Sequence, residues 1–379
     1  MNGFLGAYAI TWRQILGDKA AITLFFLSGI IYSFFYPLPY SKETVQRVPI
    51  AVIDQDNSAL SRQLIRYAAA HPGLEVIAVT GRPEDAQDLL WKGTVSGAVL
   101  IPADFSGKLL SGQQPEVDVS GNGSYLMLNK VALNALAEVV GTISAGVELK
   151  RLNAASPSRQ QIEEQRQPLS TESVPLFNPR EGYASYIVPG VVVLLMQQTF
   201  LLGIGLLFGT WASGKSFPYQ RTAAAYFGAL NAFALVVVLN AMYFFGFVFW
   251  WQDYPRGGNF AGSLVLTVLF AYCVAALGIL MGLFFRTRER SVQLLVATSM
   301  PIIFLSGLSW PISALPSVVQ QIRWLFPSSA AIQGFIATNQ LGASLHEVRL
   351  EVLALLGLSV LFIGLGWRKW QRLPKQLPG

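Results

Sequence analysis

Residues 183–208 read YASYIVPGVVVLLMQQTFLLGIGLLF, and no Asp, Glu, Lys or Arg interrupts them. Crossing a bilayer core of about 30 Å as a helix takes about 20 apolar residues. The stretch is therefore long enough to span a membrane. Comparable runs occupy Ala20–Leu38, Ala223–Trp251, Phe260–Phe285, Ser291–Trp310 and Leu350–Trp367. The expected class is a mainly α-helical polytopic membrane protein with six transmembrane helices. Composition agrees: 53% of the 379 residues are apolar and only 13% charged, against roughly 25% charged in a soluble protein. Too few charges remain to coat a globule of this size, so lipid must cover part of the surface.

Charge placement predicts the orientation. With the N-terminus in the cytoplasm, the inside segments hold Arg13, Lys19, Lys215, Arg221, Arg286, Arg288, Arg290, Arg368, Lys369, Arg372 and Lys375, against Asp18 and Glu289 alone. The short outside loops balance to zero and residues 42–182 are acidic overall. The positive-inside rule then puts both termini in the cytoplasm of a bacterial inner membrane and the 42–182 insert in the periplasm. The net charge of +6 is thus a topology signal and does not point to nucleic acid. The first run starts late and lacks a cleavage site, so it reads as a retained anchor. Before it, residues 1–19 carry Phe4, Leu5, Tyr8, Trp12, Ile15 and Leu16 at helical spacing, which predicts an amphipathic helix on the cytoplasmic face.

The insert alternates strand and helix signals: Val48–Ile53, Leu74–Val79, Gly97–Ile101 and Glu116–Ser120 as strands, with Ala59–Ala70, Pro83–Lys92, Pro102–Leu110 and about 125–152 as helices. An inserted α/β domain is expected, with 153–179 as its linker back to the membrane. Residues 183–379 form the remaining five-helix transmembrane domain. Within it, 311–345 is too apolar for a free loop and too short to cross twice, and Pro327 breaks it into two short helices. It reads as an external re-entrant hairpin.

Catalytic and cofactor chemistry is not expected. Residues 209–216, GTWASGKS, fit the phosphate-loop pattern letter for letter, but that loop needs a preceding buried strand and a following helix. Here a span precedes it and another begins just after. Asp54-x-Asp56-x-Ser58 reads as a helix-capping turn, since the later Gly and bidentate Glu of a calcium loop are missing. His71 and His346 have no ligand-spaced neighbours, so no metal is expected. The single cysteine, Cys273, permits no internal disulfide and reads as a small apolar filler. No carboxylate or histidine lies inside the first five spans to carry a coupling ion. The uncharged polar groups Gln197, Gln198, Thr199 and Asn231 are candidates for a pathway or for bonds between helices.

Four stretches carry a family resemblance: VPIAVIDQDNSALSRQLI (48–65) with GAVLIPADFSGKLLSG (97–112), FNPREGYASYIVPG (177–190), FLSGLSWPISALP (304–316) and LFPSSAAIQGF (325–335). With one span, an insert and five further spans, the chain resembles the permease subunits of type-2 ABC exporters, in the branch with a large periplasmic insert. The resemblance implies a homo- or heterodimer of permeases bound to separate ATPase subunits, with a periplasmic adaptor as a further open partner. It places ATPase contacts on the N-terminal helix (Trp12, Arg13) and the cytoplasmic loops (Lys215, Arg221, Arg286, Arg288, Arg290). It places an external gate on the hairpin, at Pro311, Leu315, Pro327, Ser328 and Ile332. The expected cargo is amphipathic: drug-like, lipid or polymer. One departure stands out. Family members carry an Arg/Glu-rich coupling loop with Gly-Thr-x-Glu, whereas GTWASGKSFPYQRT (209–222) has no acidic residue. That departure keeps a second reading open, a non-transporting receptor or scaffold of the same architecture.

Overall fold

Every long apolar run in this chain folds as a helix, because in hydrocarbon each backbone polar group must be satisfied within its own segment. The computed structural model describes residues 3–40, 47–111, 113–121, 126–153, 176–178, 182–214 and 216–373. The chain divides into two compact units, Met1–Glu43 with Pro175–Gly379, and Thr44–Val174.

The first unit is helical. Helix α1 (Phe4–Gly17) precedes α2 (Lys19–Tyr40). After the second unit come α7 (Tyr183–Ser213), α8 (Ala223–Trp251), α9 (Phe260–Gly282), α10 (Arg288–Leu305), the short α11 (Ser317–Ile322) and α12 (Pro327–Phe335), then α13 (Arg349–Gln371). Among the described residues, five helices are long and apolar enough to cross a membrane: α2, α7, α8, α9 and α13. The sixth expected span, Ser291–Trp310, forms α10 instead, and its 18 residues take in Arg288, Glu289 and Arg290. It stops at Leu305, past Pro301, where Gly307 turns the chain at φ +80°.

Helix α7 is the central post, packed by α9, α10 and α12. Most of it is buried, with Val191, Leu195, Thr199 and Leu202 half-buried along one stripe, which is why its sequence shows no polar face. Close approach depends on glycine at two points. A Cβ on Gly203 would stand 2.7 Å from the Phe25 ring, and one on Gly278 2.6 Å from Ile204 Cδ1. Pro189 cannot donate to the Ser185 carbonyl four residues back, and Gln340 Nε2 reaches that oxygen at 3.5 Å. Helices α2 and α8 each contain a π turn, Thr23–Leu27 and Met242–Val248. The Phe25 carbonyl of the first accepts from Asn240 Nδ2 at 2.9 Å.

The second unit is a four-stranded sheet in the order β2-β1-β3-β4. Its strands are β1 (Val48–Asp54), β2 (Leu74–Thr80), β3 (Gly97–Ile101) and β4 (Asp118–Gly121). The β1 pairings are parallel and β3 with β4 is antiparallel. Helices α3 (Ala59–Ala70) and α6 (Leu126–Asn153) share a core with Ile50, Val52, Val99 and Ile101. Helix α4 (Pro83–Trp91) packs on Ala51, Ile53 and Ala98, while α5 (Phe105–Ser111) lies in the connection from β3 to the antiparallel β4. Ser58 caps α3 in a reciprocal box with Ser61, and Asp54 Oδ2 accepts from Ser61 Oγ at 2.8 Å. Asp54 therefore serves the turn, while Asp56 Oδ1 accepts from the Ser106 N–H and hydroxyl in α5 at 3.2 and 2.9 Å.

Candidate functional site

Two constellations stand out in the helical unit, one at the α1 end and one at the middle of α7. At one end, α1 is a helix whose buried stripe is small: Gly6, Ala7, Thr11 and Ile15. Small side chains let it lie against α8, where a Cβ on Gly228 would collide with the Phe4 carbonyl and stand 3.0 Å from Ala7 Cβ. The Thr11 hydroxyl donates to the Ala7 carbonyl and meets the Tyr219 hydroxyl, both at 2.9 Å. Burial pushes the Tyr219 hydroxyl well above its ordinary pKa, against the opposing pull of the Thr11 bond. Trp211 Nε1 donates to Gln14 Oε1 at 3.1 Å, and Trp370 Nε1 to the Gln220 carbonyl at 3.0 Å. Tyr219 lies 5.4 Å from the Trp211 ring and 5.3 Å from Trp370, and Phe217 lies 4.8 Å from Trp370. These spacings are those of favourable ring pairs. The segment between α7 and α8 is thus fastened to α1 on one side and to the end of α13 on the other. Between α1 and this segment is a cavity of about 340 Å³, walled by Gly6, Ile10, Arg13, Pro218, Tyr219 and Gln220.

An ion pair closes the same end. Asp18 caps α2, accepting from the Ala20 and Ala21 N–H groups at 2.9 and 3.1 Å. It also receives Arg288 Nη1 at 2.9 Å and Nη2 at 3.3 Å. Burial pushes the Asp18 carboxyl up, but the Ala21 bond, the Arg288 bond and charge, and the Ala20 bond together hold it below its usual value.

The expected contact residues scatter around this end. Arg13 is exposed on the cavity wall and Trp12 is half-buried. Arg286 and Arg290 are exposed and Arg221 is half-buried. Arg288 is committed to Asp18. Lys215 lies outside the described residues. The coupling loop expected over residues 209–222 starts at Gly214, because α7 continues through Ser213 and buries Trp211 in the ring cluster. The phosphate-loop match is therefore largely a helix C-terminus, whose partial negative charge disfavours phosphate. Gly209 serves packing: a Cβ there would stand 2.7 Å from the Thr287 carbonyl oxygen.

Beside the middle of α7, α12 is buried from Pro327 to Ile332 and packs on α7, α9 and α13. Pro327 begins the helix, where its missing N–H costs nothing. The next N–H, that of Ser328, donates to Gln197 Oε1 at 2.7 Å. Gln197 Nε2, both amide atoms of Gln198, and the Ser328 and Ser329 hydroxyls are buried without partners. The structure thus joins Gln197 to Ser328, one residue from each expected set. The others go elsewhere. Thr199 bonds back to the Leu195 carbonyl at 2.9 Å, and Asn231 Oδ1 accepts from the Tyr272 hydroxyl at 2.6 Å across α8 and α9. Pro311 is exposed, Leu315 half-buried and Ile332 fully buried. Thr11, Gln14, Tyr219 and Trp370 are partners that the sequence alone does not single out. The clustering of Trp and Tyr near both segments was the available signal. No group of three or more His, Cys, Asp or Glu suited to a metal occurs among the described residues.

A family model described as "ABC-2 family transporter protein" matches residues 19–368. The chain belongs to the ABC-2 transporter family. It is similar to "Inner membrane transport permease YhhJ" of Escherichia coli strain K12, 24% identical over 375 residues covering 95% of this chain and 94% of the relative. It is also similar to "Linearmycin resistance permease protein LnrN" of Bacillus subtilis strain 168, at 23% over 333 residues, 80% of this chain and 82% of the relative. "Probable multidrug ABC transporter permease YbhR" of Escherichia coli strain K12 matches at 20% over 328 residues, 83% of each chain. As an ABC-2 permease this is a multi-pass membrane protein and not itself an enzyme; ATP hydrolysis lies in a separate subunit.

Proposed function

We propose that this ABC-2 chain is the transmembrane half of an ATP-driven exporter that moves an amphipathic substrate, drug-like, lipid or polymer, out of the cytoplasm or inner leaflet. In this reading α10 crosses with the five long helices, both termini are cytoplasmic, and residues 42–182 face the periplasm. Two permeases pair and each binds an ATPase subunit at the α1 end.

The observation that carries the reading is the α1 platform. An amphipathic helix, the segment before α8 and the last turn of α13 are bonded into one surface, and Arg13 stands exposed on its cavity. A surface built from three separate stretches moves as a unit, as a device passing ATPase motion to the spans must. At mid-length, the Gln197–Ser328 bond ties the gate helix α12 to α7, the helix that runs the length of the bundle.

The names of relatives, linearmycin resistance and multidrug transport among them, support a cargo that partitions into membranes. The segment 209–222, free of acidic residues, favours the receptor alternative. Purification of the tagged chain with its co-expressed ATPase separates the two. An exporter retains the ATPase in wild type and loses it in Arg13→Glu, whereas a receptor never holds it. Periplasm-active reporters should be active at Gln113 and silent at Gly379.

A further inference from the structure

The turn Arg323–Leu325, between α11 and α12, holds a charge with no ion-pair partner among the described residues. Arg323 is 9% exposed, and its Nε and Nη1 are buried with no hydrogen-bond partner. The guanidinium lies over the Trp324 ring, with Cζ 4.1 Å from the centroid. Glu351, in the first turn of α13, acts on it through space without forming an ion pair. Arginine does not lose its proton in proteins, so the charge persists. A desolvated, unpaired guanidinium is among the costliest arrangements a fold can hold. An anion is the group that fits it.

The surroundings select the kind of anion. Val318, Ile322 and Leu325, all within a few residues of Arg323, are 66%, 42% and 60% exposed. A guanidinium among exposed apolar side chains matches a molecule with an anionic head and hydrocarbon chains. The guanidinium fork matches phosphate oxygens in a paired geometry that an ammonium cannot copy. Glu351, whose charge acts on Arg323, lies about 28 Å along α13 from Trp370 at a rise of 1.5 Å per residue, so that acid stands near headgroup level in the leaflet away from α1. The cover is α11, six residues long and packed chiefly on α10 and on the turn itself.

We propose that Arg323 anchors a binding site for the phosphate of a phospholipid headgroup, with Trp324 holding the guanidinium flat and α11 lying over the entry. The acyl chains rest along Val318, Ile322 and Leu325. Glu351 is the carboxylate against which the phosphate competes. The site requires a membrane-embedded chain but neither export nor an ATPase, so it stands or falls apart from the exporter reading.

The test uses the full chain purified in a neutral maltoside detergent, with the thermal unfolding midpoint followed as dihexanoyl phosphatidylglycerol is added. In wild type the midpoint should rise with lipid, and inorganic phosphate at equal concentration should leave it unchanged. Arg323→Gln should abolish the response. Arg323→Lys, which keeps the charge and loses the fork, should need about tenfold more lipid, the equivalent of one charge-assisted bond. Glu351→Gln should respond at lower lipid than wild type, and with Arg323→Lys it keeps the test decisive if Arg323→Gln does not fold. An unchanged lipid response in Arg323→Gln, or equal responses of Arg323→Lys and wild type, would overturn the site. Equal stabilisation by inorganic phosphate would assign a free-anion site instead. If Glu351→Gln loses the lipid response, Arg323 and Glu351 serve as an internal pair and the proposal fails.

Discussion

The Ser328 N–H donates to Gln197 Oε1 at 2.7 Å, so a glutamine in the middle of α7 caps the first turn of α12. Buried helix N-termini need such an acceptor, and losing it strands a buried donor at a cost of about 1–3 kcal/mol. Gln197→Leu should therefore lower the unfolding midpoint and loosen α12. The readout is labelling of Ser328→Cys, in a Cys273→Ser background, by a membrane-impermeant thiol reagent. Slow labelling is expected at rest, with faster labelling in Gln197→Leu and during ATPase turnover. Rapid labelling under every condition would make 311–345 an ordinary solvated loop and remove the gate.

Gly228 is where α1 rests on α8. A methyl there meets the Phe4 carbonyl, a backbone atom that cannot rotate away, so Gly228→Ala should lift the start of α1. Thr11 is fully buried, and Thr11→Cys in the Cys273→Ser background reports the change. That cysteine should resist aqueous thiol reagents with Gly228 present and react once Ala replaces it. Equal protection in both would mean that α1 is held by something other than this contact.

Asp18 and Arg288 are 270 residues apart in sequence and make the clasp at the α1 end pH-dependent. The Asp18 carboxyl is held below its ordinary value, so its contribution is fully present above the unfolded pKa of about 3.9 and is lost as pH falls through the folded value. Asp18→Asn should unfold earlier than wild type at pH 7 and equally early at pH 5. The two should converge only below about pH 4. Identical midpoints at pH 7 would show that the pair adds nothing.

The phosphate-loop lookalike makes opposite predictions for two of its residues. Lys215→Ala should leave nucleotide binding by the isolated chain where it stands in wild type, at zero. Gly209→Ala should destabilise the chain, because its Cβ would crowd the Thr287 carbonyl at 2.7 Å. Fluorescent-nucleotide binding and a melting curve settle both. ATP binding that disappears in Lys215→Ala would restore a nucleotide site.

Much of the architecture was legible because membrane helices announce themselves by length and hydropathy alone. The helix read at Ala59–Ala70 has those ends because Ser58 and Ser61 form a local capping box, and His71-Pro72-Gly73 stops it. The misjudged boundaries depend on distant contacts. Helix α7 runs past Phe208 to Ser213 because the Trp211 ring finds Gln14, Tyr219 and Phe217. Helix α10 ends before Trp310 because Leu308 must turn in against Gly190, after Gly307 reverses the chain at φ +80°. The Asp18–Arg288 pair and the burial of Arg323 have no sequence signature, since each arises only when remote segments meet.

The most direct test of the account is ATP hydrolysis by the chain in lipid nanodiscs, measured alone and after adding its ATPase subunit, in wild type and Arg13→Glu. Hydrolysis is expected only with the added subunit, stimulated by the wild-type permease and markedly less by Arg13→Glu, whose reversed charge stands on the α1 cavity. Hydrolysis by the permease alone, or by an ATPase indifferent to its presence, would contradict the account.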